Sequence, residues 1–283
     1  MEKLFKTLEN RATHSPEKSA LISNDGSTKN IITNLQLLDH ITHVGSFLNK
    51  ENVKCVGLFM DNCAQWIICD LAAARLGITL VPIPLFFTQS QIEHLVDSAC
   101  VEAIITQSFM SDMLKANQSL PIEKVETMLP LKNAIMLRVV TDKTTHLTEC
   151  IKVTYTSGST GDPKGVCLSA KNIGAVCEAI NISMSSMTTT NHLCVLPLAT
   201  LLENIAGVYA CLMHGGIVVT EPLSALGFLS NAEFDMSKLL EKIELYHVGS
   251  IILLPQMLTL LVNNFNETVL KQCSSLQFMA LGG

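Results

Sequence analysis

Short apolar runs alternate with segments of helical periodicity along the first half of the chain. The apolar runs predict buried strands over residues 54–60, 79–83 and 103–106. Between the first two, apolar residues recur at helical spacing from 62 to 76, and Gly77 is placed to end that helix. Because strands separated by helices need crossover connections, we expect a largely parallel sheet in an α/β fold.

The remaining chain continues in the same style. Thr88-Gln-Ser-Gln91 has the form of a capping box and predicts a helix that runs to about Ala99. Further strands are predicted over residues 151–155, 166–168, 192–196, 216–220, 249–254 and 276–281, and helices over 170–187 and 200–213. Residues 111–148 give the weakest assignment, with an exposed loop expected over 141–148.

No repeat and no linker rich in Gly, Ser or Pro divides the chain. Two closely packed subdomains therefore fit the sequence better than two tethered domains. We expect approximate bounds of 45–185 and 186–283, with residues 1–44 packing on the second subdomain. Ala280-Leu-Gly-Gly283 follows a strand signal directly, at the sheet edge where α/β folds bind ligands, so the second subdomain is expected to be truncated.

Composition and charge exclude several classes of protein. With 283 residues, 48% of them hydrophobic and only 16% charged, the chain can bury a large core and is not disordered. The net charge of −6 gives no general attraction for nucleic acid or anionic lipid. Ten cysteines without a C-x-x-C pair, most of them within apolar runs, favour a reducing compartment.

The sequence shows no signal peptide, and polar residues interrupt its longest apolar stretch, over 193–220. A charged residue in mid-span, here Glu203, is costly in a bilayer. We therefore expect no transmembrane segment and a cytoplasmic location, with peripheral attachment to a membrane left open. The oligomeric state cannot be inferred from the sequence.

The segment Thr154-Tyr-Thr-Ser-Gly-Ser-Thr-Gly-Asp-Pro-Lys-Gly165 carries the chemistry. Its three glycines let the backbone approach a ligand closely, and its N–H and hydroxyl groups can donate to phosphate oxygens. Lys164 adds a mobile positive charge. The spacing matches neither a Walker A loop nor the dinucleotide pattern G-x-G-x-x-G. A flexible surface loop is the alternative, but this ordered combination of residues favours a phosphate-binding loop.

This segment resembles the signature of the AMP-forming adenylate enzymes, which include acyl-CoA synthetases, peptide-synthetase adenylation domains and luciferases. Residues 76–84, Leu196-Pro-Leu-Ala-Thr200 and Ala280-Leu-Gly-Gly283 are similar to further segments of that family. Glu203 extends the second of these into Pro-Leu-Ala-x-x-x-Glu, a form most like long-chain fatty acyl-CoA synthetases. The resemblance implies two packed flavodoxin-like α/β subdomains.

The resemblance also implies an activity: ATP-dependent conversion of a carboxylic acid, in the first place a fatty acid, to acyl-AMP and then to a CoA thioester. Mg²⁺ would bridge the phosphates, with no metal ligand assigned inside this chain. The residues implied to hold the leaving phosphates are Thr156, Ser157, Gly158, Ser159, Thr160, Gly161, Lys164 and Gly165, with Lys164 as the catalytic group. Those implied to lie near the acyl pocket are Pro197, Thr200 and Glu203.

Several alternatives stay open at this point. Glu203 is equally compatible with a contact to the region of the glycine-rich loop and with a carboxylate that lies on a helix surface or is paired in the core. Thr200 replaces the histidine that the family carries there. The chain could instead be an amino-acid adenylation module that feeds a carrier protein, although Leu202-Glu-Asn-Ile-Ala-Gly207 gives no signature of one. It could also be a non-catalytic nucleotide- or acyl-binding fragment.

In the family pattern, the metal-binding Glu, a ribose-binding Asp and a small domain with the adenylating Lys follow the position of Gly283. We therefore expect the 283-residue chain alone not to catalyse adenylation. Isotope exchange between pyrophosphate and ATP, measured with several fatty acids present, is expected to stay at background. Clear exchange would contradict this expectation.

Overall fold

The computed structural model describes residues 1–24, 29–117, 119–127, 131–143, 149–156, 163–184, 188, 191–229 and 233–282. The helices are α1 (Glu2–His14), α2 (Asn34–Lys50), α3 (Ala64–Leu76), α4 (Gln89–Ser98), α5 (Ser111–Lys115), α6 (Ala170–Ser183), α7 (Ala210–His214), α8 (Met236–Leu245), α9 (Pro255–Asn263) and α10 (Glu267–Gln272), with a π-helix over Glu203–Tyr209. The strands are β1 (Ser19–Asn24), β2 (Lys29–Thr33), β3 (Cys55–Phe59), β4 (Thr79–Pro82), β5 (Ala103–Gln107), β6 (Ile122–Thr127), β7 (Ala134–Val139), β8 (Cys150–Thr156), β9 (Lys164–Ser169), β10 (Asn191–Leu193), β11 (Ile217–Thr220), β12 (Val248–Leu253) and β13 (Phe278–Leu281).

The chain divides into two compact units. The first contains Leu38–Met60 and Gln65–Ile173, together with Met1. The second contains Glu2–Leu37, Asp61–Ala64 and Gly174–Gly283. Each unit is built around one sheet.

The sheet of the first unit has the strand order β6-β7-β5-β3-β4-β8-β9. Its central strands β5, β3, β4 and β8 are parallel, as the alternation of strands and helices predicts. Antiparallel partners extend it on both sides: β7 and β6 beyond β5, and β9 beyond β8. Strands β6 and β7 lie in the stretch for which the sequence pattern supports only a weak assignment.

The sheet of the second unit has the order β13-β12-β10-β11-β1-β2, with only the β1–β2 pair antiparallel. Strand β1 pairs with β11 although nearly two hundred residues separate them in sequence. The guanidinium of Arg11, on α1, donates to the carbonyls of Leu212 and Gly216, both at 3.0 Å. These bonds attach the N-terminal helix to the segment that leads into β11.

The predicted capping box at the start of α4 is confirmed. The backbone N–H of Gln91 donates to Oγ1 of Thr88, and the backbone N–H of Thr88 donates to Oε1 of Gln91. Ile92, Leu95 and Val96 are buried in the core of the first unit and fix the rotation of the helix about its axis. The sequence thus predicts the start of α4 and its approximate end.

The helix predicted over 200–213 is present, but it does not have uniform geometry. A π-helix over Glu203–Tyr209 occupies its middle and continues directly into α7. Apolar periodicity does not distinguish a π-helix from an α-helix over so few residues. Such wide turns are rare and are frequent at functional sites.

No helix in the described part of the chain combines the length and the apolar character needed to cross a membrane.

Two glycines of the second unit provide a test of its backbone geometry. Gly215 and Gly227 both have positive φ angles, of 92° and 107°, which side-chain-bearing residues rarely adopt. A Cβ at Gly215 would meet open space, whereas one at Gly227 would lie 2.2 Å from the backbone oxygen of Asp235. We expect Gly215→Ala to lower the free energy of unfolding by ~1–2 kcal/mol. Gly227→Ala should cost a further ~1–3 kcal/mol from overpacking.

Urea-induced unfolding followed by circular dichroism measures both variants. Equal losses at the two positions would contradict the close approach of Asp235 to Gly227.

Candidate functional site

The two ends of the glycine-rich segment are held together by an antiparallel strand pair. Strand β8 leads into the segment and β9 leads out of it, and Thr156 is the register partner of Lys164. The segment therefore closes a hairpin. A Walker A loop, by contrast, runs from a strand into a helix, so the geometry agrees with the sequence in separating this loop from that class.

The described ends of the loop carry the groups expected of a phosphate site. Thr156 and Lys164 are both exposed, and Lys164 forms no ion pair with any described residue. Strand β9 is the last strand of its sheet, so among the described strands none pairs with its outer edge. The other predicted loop residues lie outside the described residues: Ser157, Gly158, Ser159, Thr160 and Gly161.

A buried ion pair anchors β8 to α3. Nζ of Lys152 lies 2.7 Å from Oδ1 of Asp70, on α3, and both side chains are 1% exposed. The same ammonium lies 5.8 Å from the ring centroid of Trp66, one helical turn before Asp70. Two opposite charges removed from water are stable only as a pair, so this contact ties β8 to α3 at one register.

The predicted acyl-pocket residues Pro197 and Thr200 form a turn after β10. The backbone N–H and the hydroxyl of Thr200 both donate to the carbonyl of Pro197, at 2.8 and 2.7 Å. The side chain of Asn62 clamps this turn: its Nδ2 donates to Leu196 O at 2.9 Å, and its Oδ1 accepts from Leu198 N–H at 2.8 Å. Asn62, which is buried, was not among the site residues that the sequence indicated.

Glu203 supports the same turn from the side of the π-helix. The carboxylate is fully buried, and its Oε2 accepts from the backbone N–H of Leu196 at 2.8 Å. Its Oε1 lies 2.8 Å from Nε2 of His192, whose Nδ1 lies 3.0 Å from the hydroxyl of Ser250. The sequence left open a contact with the loop region or a carboxylate on a helix surface or in the core; the described contacts of Glu203 are those of a carboxylate paired in the core.

Both ring nitrogens of His192 have a hydrogen-bond partner: Nε2 pairs with the carboxylate of Glu203, and Nδ1 pairs with the hydroxyl of Ser250. All three side chains are buried, so this Ser–His–Glu arrangement gives no substrate access and is not a hydrolase site. It is a polar network inside the core of the second unit.

Cys194 completes a buried group of three potential metal ligands with His192 and Glu203. Burial, followed by the neighbouring Glu203 carboxylate, raises the pKa of the Cys194 thiol well above its usual value. Two ligands of one tetrahedral zinc ion lie roughly 3.3 Å apart. The 2.8 Å between His192 and Glu203 is a hydrogen-bond distance instead. We interpret the group as hydrogen-bonded rather than metal-binding.

Gly207 is required by this network. A Cβ at that position would lie 2.2 Å from Oε1 of Glu203 and 2.5 Å from Nε2 of His192. The backbone of the π-helix therefore packs directly on the Glu203–His192 pair. In the sequence, His192 is a lone histidine in a predicted strand, Glu203 lies in an apolar helix, and Gly207 follows Glu203 by one turn. Nothing in the sequence connects these three residues until the fold is known.

The predicted site residues fall into both units. Thr156, Lys164 and Gly165 belong to the first unit, and Pro197, Thr200 and Glu203 belong to the second. The structure brings the members of each group together within their own unit, as ends of one hairpin and as parts of one buttressed turn.

Comparison with known proteins identifies the family. The model of the AMP-binding enzyme family matches residues 8–283, so the chain belongs to that family. The 2-succinylbenzoate–CoA ligase of Bacillus pumilus (strain SAFR-032) is 26% identical over 278 residues, which is 96% of this chain and 52% of the ligase. The chain thus spans about half the length of this curated relative.

Solved structures show the same fold. A fatty acyl-adenylate ligase from L. pneumophila, in complex with acyl adenylate and pyrophosphate, is similar over 99% of this chain and 49% of its own, with a TM-score of 0.74 and 19% identity. The O-succinylbenzoate coenzyme A synthetase from Bacillus subtilis, in complex with ATP and magnesium ion, is similar over 97% of this chain and 68% of its own, with a TM-score of 0.67 and 18% identity. These likenesses confirm the α/β fold with two sheets dominated by parallel strands.

The buried network around Glu203 predicts a large effect of its removal on stability. Glu203→Ala leaves the Leu196 N–H and His192 without their acceptor inside the core, and each unsatisfied buried group costs ~1–3 kcal/mol. We expect the free energy of unfolding to fall by about 2–5 kcal/mol. Urea titration measures the loss.

Glu244→Ala, at an exposed position on α8, serves as the control and should change stability by less than ~0.5 kcal/mol. Similar small losses for the two variants would show that Glu203 does not support the turn.

Proposed function

We propose that this protein uses ATP to activate a carboxylic acid as an acyl adenylate. The observation that carries the proposal is the hairpin that closes the glycine-rich loop in a member of the AMP-binding enzyme family, with Lys164 exposed beside Thr156. The names of similar proteins support it, because they include a CoA ligase and a fatty acyl-adenylate ligase in complex with acyl adenylate and pyrophosphate.

The donors at this hairpin suit a polyphosphate. Lys164 offers an ammonium without a described acidic partner, and Thr156 offers a hydroxyl at the opposite end of the loop. We assign the loop residues Ser157, Gly158, Ser159, Thr160 and Gly161 to the same role, through their backbone N–H groups and hydroxyls. Gly165 keeps the backbone next to Lys164 free of a side chain.

In the proposed step, a carboxylate oxygen attacks the α-phosphorus of ATP. The new bond forms as the bond between the α-phosphorus and its bridging oxygen breaks, and pyrophosphate leaves with the electron pair. Negative charge therefore grows on the leaving phosphates, where Lys164 is placed to stabilise it. The protein contributes position and charge rather than a covalent intermediate.

Mg²⁺ is proposed to accompany ATP. Within the described residues, the one group of three potential ligands is the buried His192–Cys194–Glu203 set, which does not suit a cation that prefers oxygen ligands. Mg²⁺ is therefore assigned to the phosphate oxygens, where it neutralises charge. The ion has no assigned ligand in this chain.

The acid is proposed to be a fatty acid, and the acceptor of the acyl group to be CoA, in a cytoplasmic enzyme. The Pro-Leu-Ala-x-x-x-Glu pattern supports the choice of a fatty acid, because its form is most like that of long-chain fatty acyl-CoA synthetases. Its Glu, Glu203, holds the Pro197–Thr200 turn, and the proposal places the acyl chain next to that turn. In this proposal Pro197 and Thr200 contact the substrate, while Glu203 acts through the turn.

Replacing Lys164 tests the proposed function. In the whole protein, Lys164→Ala is expected to slow adenylation by ~10²–10³, because one preorganised charge opposite the leaving group is lost. The measurement is acid-dependent isotope exchange between pyrophosphate and ATP. Lys171→Ala, an exposed position on α6, removes the same charge nearby in sequence and should leave the rate unchanged.

An equal rate for Lys164→Ala and the unmodified protein would show that Lys164 does not face the phosphates. Absence of exchange with every carboxylic acid tried would overturn the function itself.

A further inference from the structure

We propose that α4 is a brace for the phosphate-binding loop, and that His94 is a positioning residue which fixes the end of the loop next to Lys164. The inference rests on the proposed function, since it gives His94 a role toward the same phosphates. Helix α4 contains none of the site residues that the sequence predicts. Its contacts all lie within the first unit.

The first contact joins α4 to the last residue of the loop. Nε2 of His94 lies 3.0 Å from the carbonyl oxygen of Pro163, 69 positions later in the sequence. A carbonyl oxygen only accepts, so Nε2 is the donor. Pro163 is buried and has no N–H of its own. The hydrogen bond to its carbonyl therefore holds the peptide group that joins Pro163 to Lys164.

The second contact joins α4 to the strand on the other side of the hairpin. The hydroxyl of Ser98 lies 2.6 Å from that of Tyr155, which is 8% exposed. Ser98 follows His94 by four positions, so both side chains lie on one face of the helix. The rings of His94 and Tyr155 meet edge to face with centroids 6.4 Å apart.

Gly165 lets the two strands close on this brace. Tyr155 and Gly165 are register partners in the β8–β9 pair. A Cβ at Gly165 would lie 2.9 Å from Cγ1 of Val153 and 3.0 Å from Cζ of Tyr155. The Tyr155 ring therefore occupies the space where a side chain of residue 165 would sit. Both neighbours of Lys164 are therefore in contact with groups linked to α4: Pro163 with His94, and Gly165 with Tyr155.

The helix itself is firmly placed. The Thr88–Gln91 capping box sets where α4 begins, and its three buried apolar residues set its rotation. His94 and Ser98 are therefore presented to the hairpin by a rigid element. A cationic side chain works as a charge stabiliser only when its backbone is held before the reaction, since reorganisation during the reaction costs free energy. The brace would supply that preorganisation for Lys164.

A positioning role for His94 differs from ordinary packing in what its loss should change. A structural role would lower global stability and loosen all strands alike. A positioning role loosens β9 and weakens the grip on phosphate while other strands keep their protection. Glutamine at position 94 can donate from its amide near the place of Nε2, so it should restore what alanine removes.

The experiment compares the 283-residue chain with its variants His94→Ala and His94→Gln. His43→Ala, which removes an exposed imidazole from α2 of the same unit, is the matched control. Amide hydrogen exchange is measured without nucleotide over β9 and over the central strands β3 and β5. Affinity for magnesium pyrophosphate, chosen because it probes the loop without adenine or acid, is measured by calorimetry.

We expect His94→Ala to speed exchange in β9 roughly tenfold relative to β3 and β5, and to weaken pyrophosphate binding by a similar factor. His94→Gln should recover most of both, and His43→Ala should change neither. Unchanged exchange in β9, or equal acceleration in all three strands, overturns the brace. If the unmodified chain fails to bind pyrophosphate, the proposed function loses its support, while exchange in β9 still decides the brace.

Discussion

The antiparallel pairing of β8 with β9 is the constraint on which the candidate site depends. It places Thr156 opposite Lys164 and so fixes both ends of a loop rich in glycine and hydroxyl groups. Glycine-rich segments lose much conformational freedom on ordering, and a loop whose ends are already joined has less to lose when it binds a ligand. Other elements of the first unit contact this hairpin: the Lys152–Asp70 pair anchors β8, and α4 contacts β8 at Tyr155 and the end of the loop at Pro163.

The second unit solves a related problem with different groups. The turn from Pro197 to Thr200 is a short irregular segment in which Leu198 and Ala199 are buried, so its backbone groups need partners within the protein. The side chain of Asn62 forms hydrogen bonds with the backbone of Leu196 and Leu198, and the carboxylate of Glu203 accepts from the backbone N–H of Leu196. His192 in turn forms a hydrogen bond with Glu203. A network in which every member has a partner stiffens such a turn, while a half-satisfied one would weaken it. This accounts for a glutamate in an apolar helix.

Much of the fold follows from local signals in the sequence. Apolar runs locate strands β3, β4 and β5. Gly77 locates the end of α3, and the Thr88–Gln91 pattern locates the start of α4. The proposed phosphate-binding loop is recognisable because its chemistry is contiguous. Asn62, His192 and His94 could not be found in this way, since their partners are 58 to 136 positions away or, for His192 and Glu203, depend on helix geometry. The π-helix likewise packs its backbone on Glu203 at Gly207, a contact that no periodicity encodes.

A crystal structure of the 283-residue chain with magnesium pyrophosphate tests the central claim most directly. The account predicts a phosphate oxygen within ~3 Å of Nζ of Lys164, with the anion enclosed by the loop between Thr156 and Lys164. Pyrophosphate bound elsewhere, or bound at this hairpin with Lys164 directed away from it, would contradict the claim that the β8–β9 hairpin is a phosphate site.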